Sequence, residues 1–466
     1  NDPNSFNSYT GVTNVLGKLT AHNNNLGNTS ELLIGTGGHY VNAGDNKVGL
    51  LDADGTLELM EGRTLEIAQG ADESSNIAGT LTGKGNLSFA AGELTVSGSS
   101  PSNYRGTVYV GSANSDAVLT ISGAGALGSG SIVLGTKNGS QINIYGTESQ
   151  TFANKISGSG TINVDLSGGA FAFGTEQLGI SAESTLVLDD AIFDLTASDV
   201  NFNDDVAGKL AIELTDGSKL INDGSADKDV YSLTLNGGTI DLGEINTEFG
   251  QIDLSSGNRT LVIGGKTTID IASQSDDNVT ESGDRTITDG HELLTGGVFY
   301  LDIFTGVENL TGDIGNLVLD DKKFEGTTEK LLQDADPDTE GLELVANMTR
   351  NDGAFEYDGS KVYLEYQFKE IELLRDKLNQ GLLVDAEQKP GGTLSAKITG
   401  IGNLKLNGTL NLGATGTVND YTGITYVLGS GTVTVMADSA FGQTKELDIA
   451  AGGVVKLNGF DQKVGA

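Results

Sequence analysis

Any chemistry in this chain would have to rest on carboxylates. Residues 189–321 hold 27 Asp and Glu against six Lys and Arg, more than half of the net charge of −37. Many occupy the centre of apolar triplets: Asp165 in NVDL, Asp194 in IFDL, Asp241 in TIDL, Asp253 in QIDL and Asp270 in TIDI, with Glu213 in AIEL. Alternate residues of a strand face opposite ways, so these acids point away from whatever Ile and Leu bury. Asp204, Asp229, Asp284 and Asp320 flank neighbouring apolar runs. If the strands stack, outward acids form ladders with carboxylates about 5 Å apart, which repel unless donors, cations or solvent separate them. The nine aspartates are therefore the candidate ligand-binding residues. Such a face can accept sugar hydroxyls or meet a basic patch on a protein, but a face that merely keeps an extended sheet soluble has the same composition. Intervals do not decide between them. Asp165, Asp194 and Asp223 are 29 residues apart, as are Asp241 and Asp270, but aspartate is frequent enough for chance to supply such spacings.

Other chemistry finds little support. The three histidines, His22, His39 and His291, are scattered, and no cysteine exists. No Gly-x-Ser-x-Gly phrase marks a serine nucleophile, and no two histidines have metal-ligand spacing. DADPDTEG (334–341) opens like an EF-hand loop, yet Thr339 stands where glycine is needed and Val345 where a bidentate Glu belongs. DGSADKD (223–229) reads as a solvated turn. A carboxylate pair about 5–9 Å apart can hydrolyse a glycoside, and so many acids could supply one. With six arginines and no lyase or hydrolase signature, the reading is a protein that is not an enzyme, with no metal and no cofactor. The charge also argues against nucleic acid, whose phosphates require Lys and Arg.

The elements that position these acids are short and repeated. SYTGVTNVLG (8–17) returns as DYTGITYVLG (420–429). The copies continue, LGNTSELLI (26–34) matching FGQTKELDI (441–449), and a looser copy begins at NYRGTVYVG (103–111). Tyr9, Tyr104 and Tyr421 hold the same place in the three copies. A second phrase, LTGKGNL (81–87), ISGSGTI (156–162) and ITGIGNL (398–404), puts glycines where sharp turns need φ > 0. With 68 glycines, four prolines, no tryptophan and alternating Val, Ile and Leu, the chain reads as many short strands joined by tight turns. Units of three strands bury nothing alone and must stack. The expected fold is all-β: a right-handed, three-faced parallel β-helix over residues 1–466, of about 17–20 turns at roughly 20–25 residues each.

One stretch breaks the rhythm. EGTTEKLLQDADPDTEGLELV (325–345) reads as a short helix stopped before Pro337. In FKEIELLRDKLNQ (368–380), Ile371, Leu374 and Leu378 have helical spacing, although KVYLEYQFKEIEL also alternates like a strand. Residues 325–390 are expected to form an irregular or partly helical excursion.

The Tyr-x-Gly and Gly-x-Gly-x-Leu phrases, with the absence of cysteine, resemble the passenger domains of bacterial type V autotransporters, the AIDA-type and UpaB-like adhesins of Escherichia coli and its relatives. The matching phrases cover about 1–180 and 393–466. The resemblance implies export across the outer membrane behind a C-terminal translocator barrel, which is absent from this chain. It also implies display at the cell surface and binding to extracellular-matrix proteins such as fibronectin, collagen or laminin, or to glycosaminoglycans, in colonisation and biofilm formation. Self-association between cells is the alternative, and a polysaccharide lyase or hydrolase the more remote one. No apolar run has membrane-spanning length, so the chain is expected not to insert in a membrane.

Overall fold

In the computed structural model, the described residues are 8–98, 103–123, 125–135, 139–173, 178–180, 184–196, 210–223, 228–244, 250–272, 285–286, 291–294, 298–320, 328–333, 343–350, 353–378, 380–429 and 431–465. They form a parallel β-solenoid of about 16 turns. The first face stacks 13 strands in continuous register, from Val12–Val15 through Leu50–Ala53, Gln141–Tyr145 and Ser232–Leu235 to Asn309–Gly312. Thirteen strands spaced about 4.8 Å apart make a face about 60 Å long. The second face opens with Lys18–Ala21, His39–Asn42, Thr56–Leu59 and Thr80–Gly83. The third runs from Asn46–Val48 through Thr64–Ile67, Asn86–Phe89 and Thr107–Val110 to Ile156–Gly158. Further along, Thr161–Phe173 and Ser184–Asp194 each cover two faces as one strand, bending at Ser167 and Asp190, both with positive φ (51° and 49°).

The alternation read from the sequence becomes a stack inside the solenoid. Leu94, Leu119, Ile142, Ile162, Leu186, Ile212, Leu233 and Leu261 follow one another in register, all buried. Ser75 interrupts this column below Leu94, and its hydroxyl is satisfied by Gln69 Oε1 at 2.6 Å and the Leu51 N–H at 3.0 Å. On the second face Phe171, Phe173 and Phe193 pack with centroids 4.8–6.2 Å apart.

Both repeated phrases are corners. In LTGKGNL, Gly83 (φ 96°) turns the chain so that the N–H groups of Lys84 and Gly85 both donate to the Leu59 carbonyl of the preceding turn. A side chain at Gly83 would run into that same carbonyl. Gly400 repeats the arrangement on Leu373, with Ile401 and Gly402 donating. In the tyrosine phrase, the carbonyls of Tyr9, Tyr104 and Tyr421 accept N–H from Asn28, Ser129 and Gln443 at 2.8, 3.0 and 2.9 Å. Those donors follow Gly27, Gly128 and Gly442 of the Leu/Phe-Gly phrase, which have φ of 61°, 55° and 60°. Each Tyr-x-Gly corner is thus clipped by the Leu/Phe-Gly corner one turn on, which is why the two phrases are copied together. Tyr104 and Tyr421 are buried, whereas Tyr9 is exposed.

The excursion is β-structure. Among the described residues the helices are two 3-10 turns, His291–Leu294 and Ile314–Asn316. Thr328–Gln333, where a helix was expected, is a strand antiparallel to Glu343–Arg350; Pro337 lies outside the described residues. Val362–Leu373 is one strand, antiparallel to Val298–Thr305, Ala354–Tyr357 and Glu343–Arg350. Period two prevails there because Val362, Leu364, Tyr366 and Phe368 all reach the core, while Leu378 of the supposed helical stripe is exposed. The antiparallel strands do not form one uninterrupted block: Asn309–Gly312 and Leu317–Leu319, which follow Val298–Thr305, still stack parallel on the first run. Leu382–Asp385 already belongs to a second run of parallel stacking that continues to Val454–Lys456.

Candidate functional site

The structure distributes the acids over several ladders. Asp194, Asp241 and Asp270 share one outward column of the second face, with Ile221 between the first two, and Asp320 follows the last paired residue of the next strand, Leu319, its N–H donating to the Ile269 carbonyl. Asp229 and Asp253 are register partners on the third face, followed by Thr305. Asp165 stands at the far end of a first-face strand, between Tyr145 and Asp189. Asp204 and Asp284 lie outside the described residues. Asp270 departs from the expected outward exposure: its position in the column is outward, yet it is buried.

Most of these carboxylates are engaged locally. Asp165, Asp194, Asp241 and Asp253 each accept, through Oδ1, the N–H two residues on: Ser167 (3.3 Å), Thr196 (2.7 Å), Gly243 (3.1 Å) and Ser255 (2.8 Å). These are Asx turns, in which a short acid side chain closes the corner in place of a backbone carbonyl. The Thr196 hydroxyl lies 2.6 Å from Asp194 Oδ1 and 2.9 Å from Asp223 Oδ1. Asp241 also pairs with Lys219, from the preceding turn, at 2.7 Å. The column therefore manages its charge with turn donors and a lysine. The -Asp-x-[Gly/Ser/Thr]- spacing was visible in the sequence and signals such a turn.

Sequence reasoning missed a second surface. From Ala117–Ser122 to Asn309–Gly312 two outward columns of the first face, headed by Val118 and Thr120, hold Thr, Asn, Gln, Ser, Val and Ala, and one charged residue, Glu213, whereas the shorter column beside them, Ser122, Tyr145, Asp165 and Asp189, carries two acids. The Thr120 column starts as a rung-to-rung ladder: Asn163 Nδ2 donates to Asn143 Oδ1 (2.8 Å), Asn143 to Thr120 (3.3 Å), and Thr120 to Glu93 (2.7 Å). The signal lay in the triplets QIN, TIN and SLT, which show polar outward residues without charge.

His39 packs its Nε2 2.8 Å from Glu58 Oε2 on the second face. Among the described residues no group of three His, Asp or Glu could hold a metal ion. No helix among them is long and apolar enough to cross a membrane.

No family model matches the chain, and no solved structure matches it. Two curated proteins of Escherichia coli K12 are similar to it. The uncharacterized protein YuaQ is 26% identical over 409 residues, covering 84% of this chain and 28% of YuaQ. The uncharacterized lipoprotein YdeK is 44% identical over 71 residues, which is 15% of this chain and 5% of YdeK. The chain thus spans less than a third of the length of either relative.

Proposed function

We propose that the chain is part of a bacterial cell-surface adhesin of the autotransporter type, presenting long polar faces to matrix glycoproteins or glycans and performing no catalysis. The observation that carries this reading is the continuity of outward ladders over many turns, with the aspartates spent on corners rather than gathered in a cleft. A repeating face favours many weak contacts that add along its length. The Tyr-x-Gly and Gly-x-Gly-x-Leu phrases that resemble autotransporter passenger domains support export to the cell surface. The sparsely charged columns of the first face favour a second reading, self-association of neighbouring molecules, because a strip of low charge is where two molecules of net charge −37 repel least.

The test is binding of the purified chain to arrayed fibronectin, collagen, laminin and glycosaminoglycans, at low and physiological salt, with and without calcium. Binding that is lost when Asp194, Asp241 and Asp320 are together changed to Asn, with the fold intact by circular dichroism, places the ligand on the second face. No binding to any of them, with expressing cells that still clump, rejects the matrix reading and leaves self-association.

A further inference from the structure

The antiparallel segment carries a surface unlike either ladder. Val298–Thr305, Val362–Leu373 and Ala354–Tyr357 lie side by side, and their outward residues form a grid. One row reads Asp302, Tyr363, Glu356; the next reads Tyr300, Glu365, Ala354. Tyrosines and carboxylates thus alternate as cross-strand neighbours: Tyr363 beside Asp302, and Tyr300 beside Glu365. The rings of Tyr300 and Tyr363 meet edge to face, 5.4 Å between centroids, and Tyr300 remains 62% exposed.

The first of these pairs is already filled. Lys361 Nζ lies 2.7 Å from Asp302 and 5.9 Å from the centre of the Tyr363 ring. The hydrogen bond to Asp302 is the first reason that the Lys361 ammonium holds its proton above the ordinary range. The chain itself therefore demonstrates what a tyrosine–carboxylate pair on this sheet holds, namely an ammonium at the ring face and in contact with the acid. The second pair, Tyr300 with Glu365, has the same cross-strand relation, and no lysine or arginine among the described residues pairs with Glu365. Reduced solvation, then the charges of Glu356 and Glu365, push the Tyr363 hydroxyl pKa up, in keeping with a negative local potential.

We propose that the Tyr300–Glu365 pair is a docking point for a lysine or arginine side chain on a basic segment of a partner protein. The cation would sit on the Tyr300 ring against Glu365, repeating in trans the contact that Lys361 makes in cis. A neutral glycan fits less well, because the feature repeated on the grid is a ring beside an acid that neutralises a cation. The patch uses none of the ladder acids, although its strand Val298–Thr305 meets the end of the Asp229–Asp253 ladder at Thr305, so loss of peptide binding at Tyr300 and Glu365 and loss of matrix binding at the second-face aspartates are separate outcomes.

The experiment uses a fluorescent tetralysine peptide and the full chain at 0.15 M salt (about an 8 Å screening length), where diffuse attraction to the acidic surface is damped. Tyr300→Ala, which changes no charge, and Glu365→Gln are each expected to weaken binding about two- to fivefold, the range for an exposed cation–π contact. Tyr300→Phe should retain the affinity. Lys361→Gln, which empties the filled pair, should strengthen it. The same charge changes at the exposed pair Glu61 and Lys84, 3.5 Å apart on the solenoid, serve as controls and should have little effect. Four results overturn the proposal: affinity indifferent to Tyr300→Ala, equal losses at Glu61→Gln and Glu365→Gln, no peptide binding at all, or binding of a neutral oligosaccharide that depends on Tyr300.

Discussion

Tyr421 shows how much one residue of the copied phrase does. It is buried, its carbonyl holds the next corner, and its hydroxyl meets Thr425 Oγ1 at 2.6 Å. Tyr421→Phe keeps the packing and is expected to cost about 1 kcal/mol in denaturant unfolding, the net worth of a buried hydrogen bond. Burial raises the pKa of Tyr40, Tyr104 and Tyr421 above the ordinary tyrosine value, the Thr425 bond lowering that of Tyr421 somewhat. The unfolded chain therefore releases these protons first as pH rises. Their contribution is complete below about pH 10 and is lost above it, at roughly 1.4 kcal/mol per pH unit for each tyrosine. Stability measured from pH 8 to 12 should bend downward near 10, and less steeply in Tyr421→Phe. A flat profile would mean that these hydroxyls reach water.

At the scale of the element, corners and columns set the register together. Gly106→Ala should destabilise by about 1–3 kcal/mol or more, since the added methyl meets both the Tyr104 ring and the Gly85 carbonyl. Ile162→Ala, in the middle of the aliphatic column, should cost about 2–5 kcal/mol. Asp241→Asn keeps an Oδ1 for the Gly243 N–H and loses only the partly buried Lys219 pair, for about 1 kcal/mol. Asp241→Ala loses the turn as well and should cost clearly more; equal melting of the two variants would remove the Asx turn from the account. The strands and both corner phrases were legible in the sequence because each obeys a local rule, period two or a glycine with positive φ. The excursion was not, since FKEIEL satisfies a helical and a strand spacing at once, and only the antiparallel neighbours of Val362–Leu373 decide between them. The acids were legible as outward residues, but the faces they share were not. Column membership depends on the length of each intervening loop, which is how Asp253 came to stand on a different face from Asp241.

For the whole molecule, the antiparallel sheet built on Val362–Leu373 stands between two runs of parallel stacking that share one hydrophobic core, and its last residues, Glu370–Leu373, already pair in parallel with Lys397–Gly400 of the second run. In a stacked repeat each turn supports only its neighbours, so the break in pattern should divide the cooperative units. Hydrogen exchange read peptide by peptide is expected to give one protection class for 31–263 and another for 382–435. Uniform protection across both would show that the core couples them completely.

The antiparallel segment also bears on how the molecule would yield to tension. Drawn out from its ends, a parallel stack surrenders one turn at a time, and a turn of about 22 residues releases about 75 Å of extended chain. At the segment this cadence breaks: Thr260 is paired directly with Asn309, 49 residues further on, and Lys361 is tied to Asp302 across 59. Neither stretch can be paid out gradually while those contacts hold. A force–extension trace should therefore show an even series of small steps interrupted by at least one release of about 170 Å, a mechanical signature set by sequence separation rather than by contact strength.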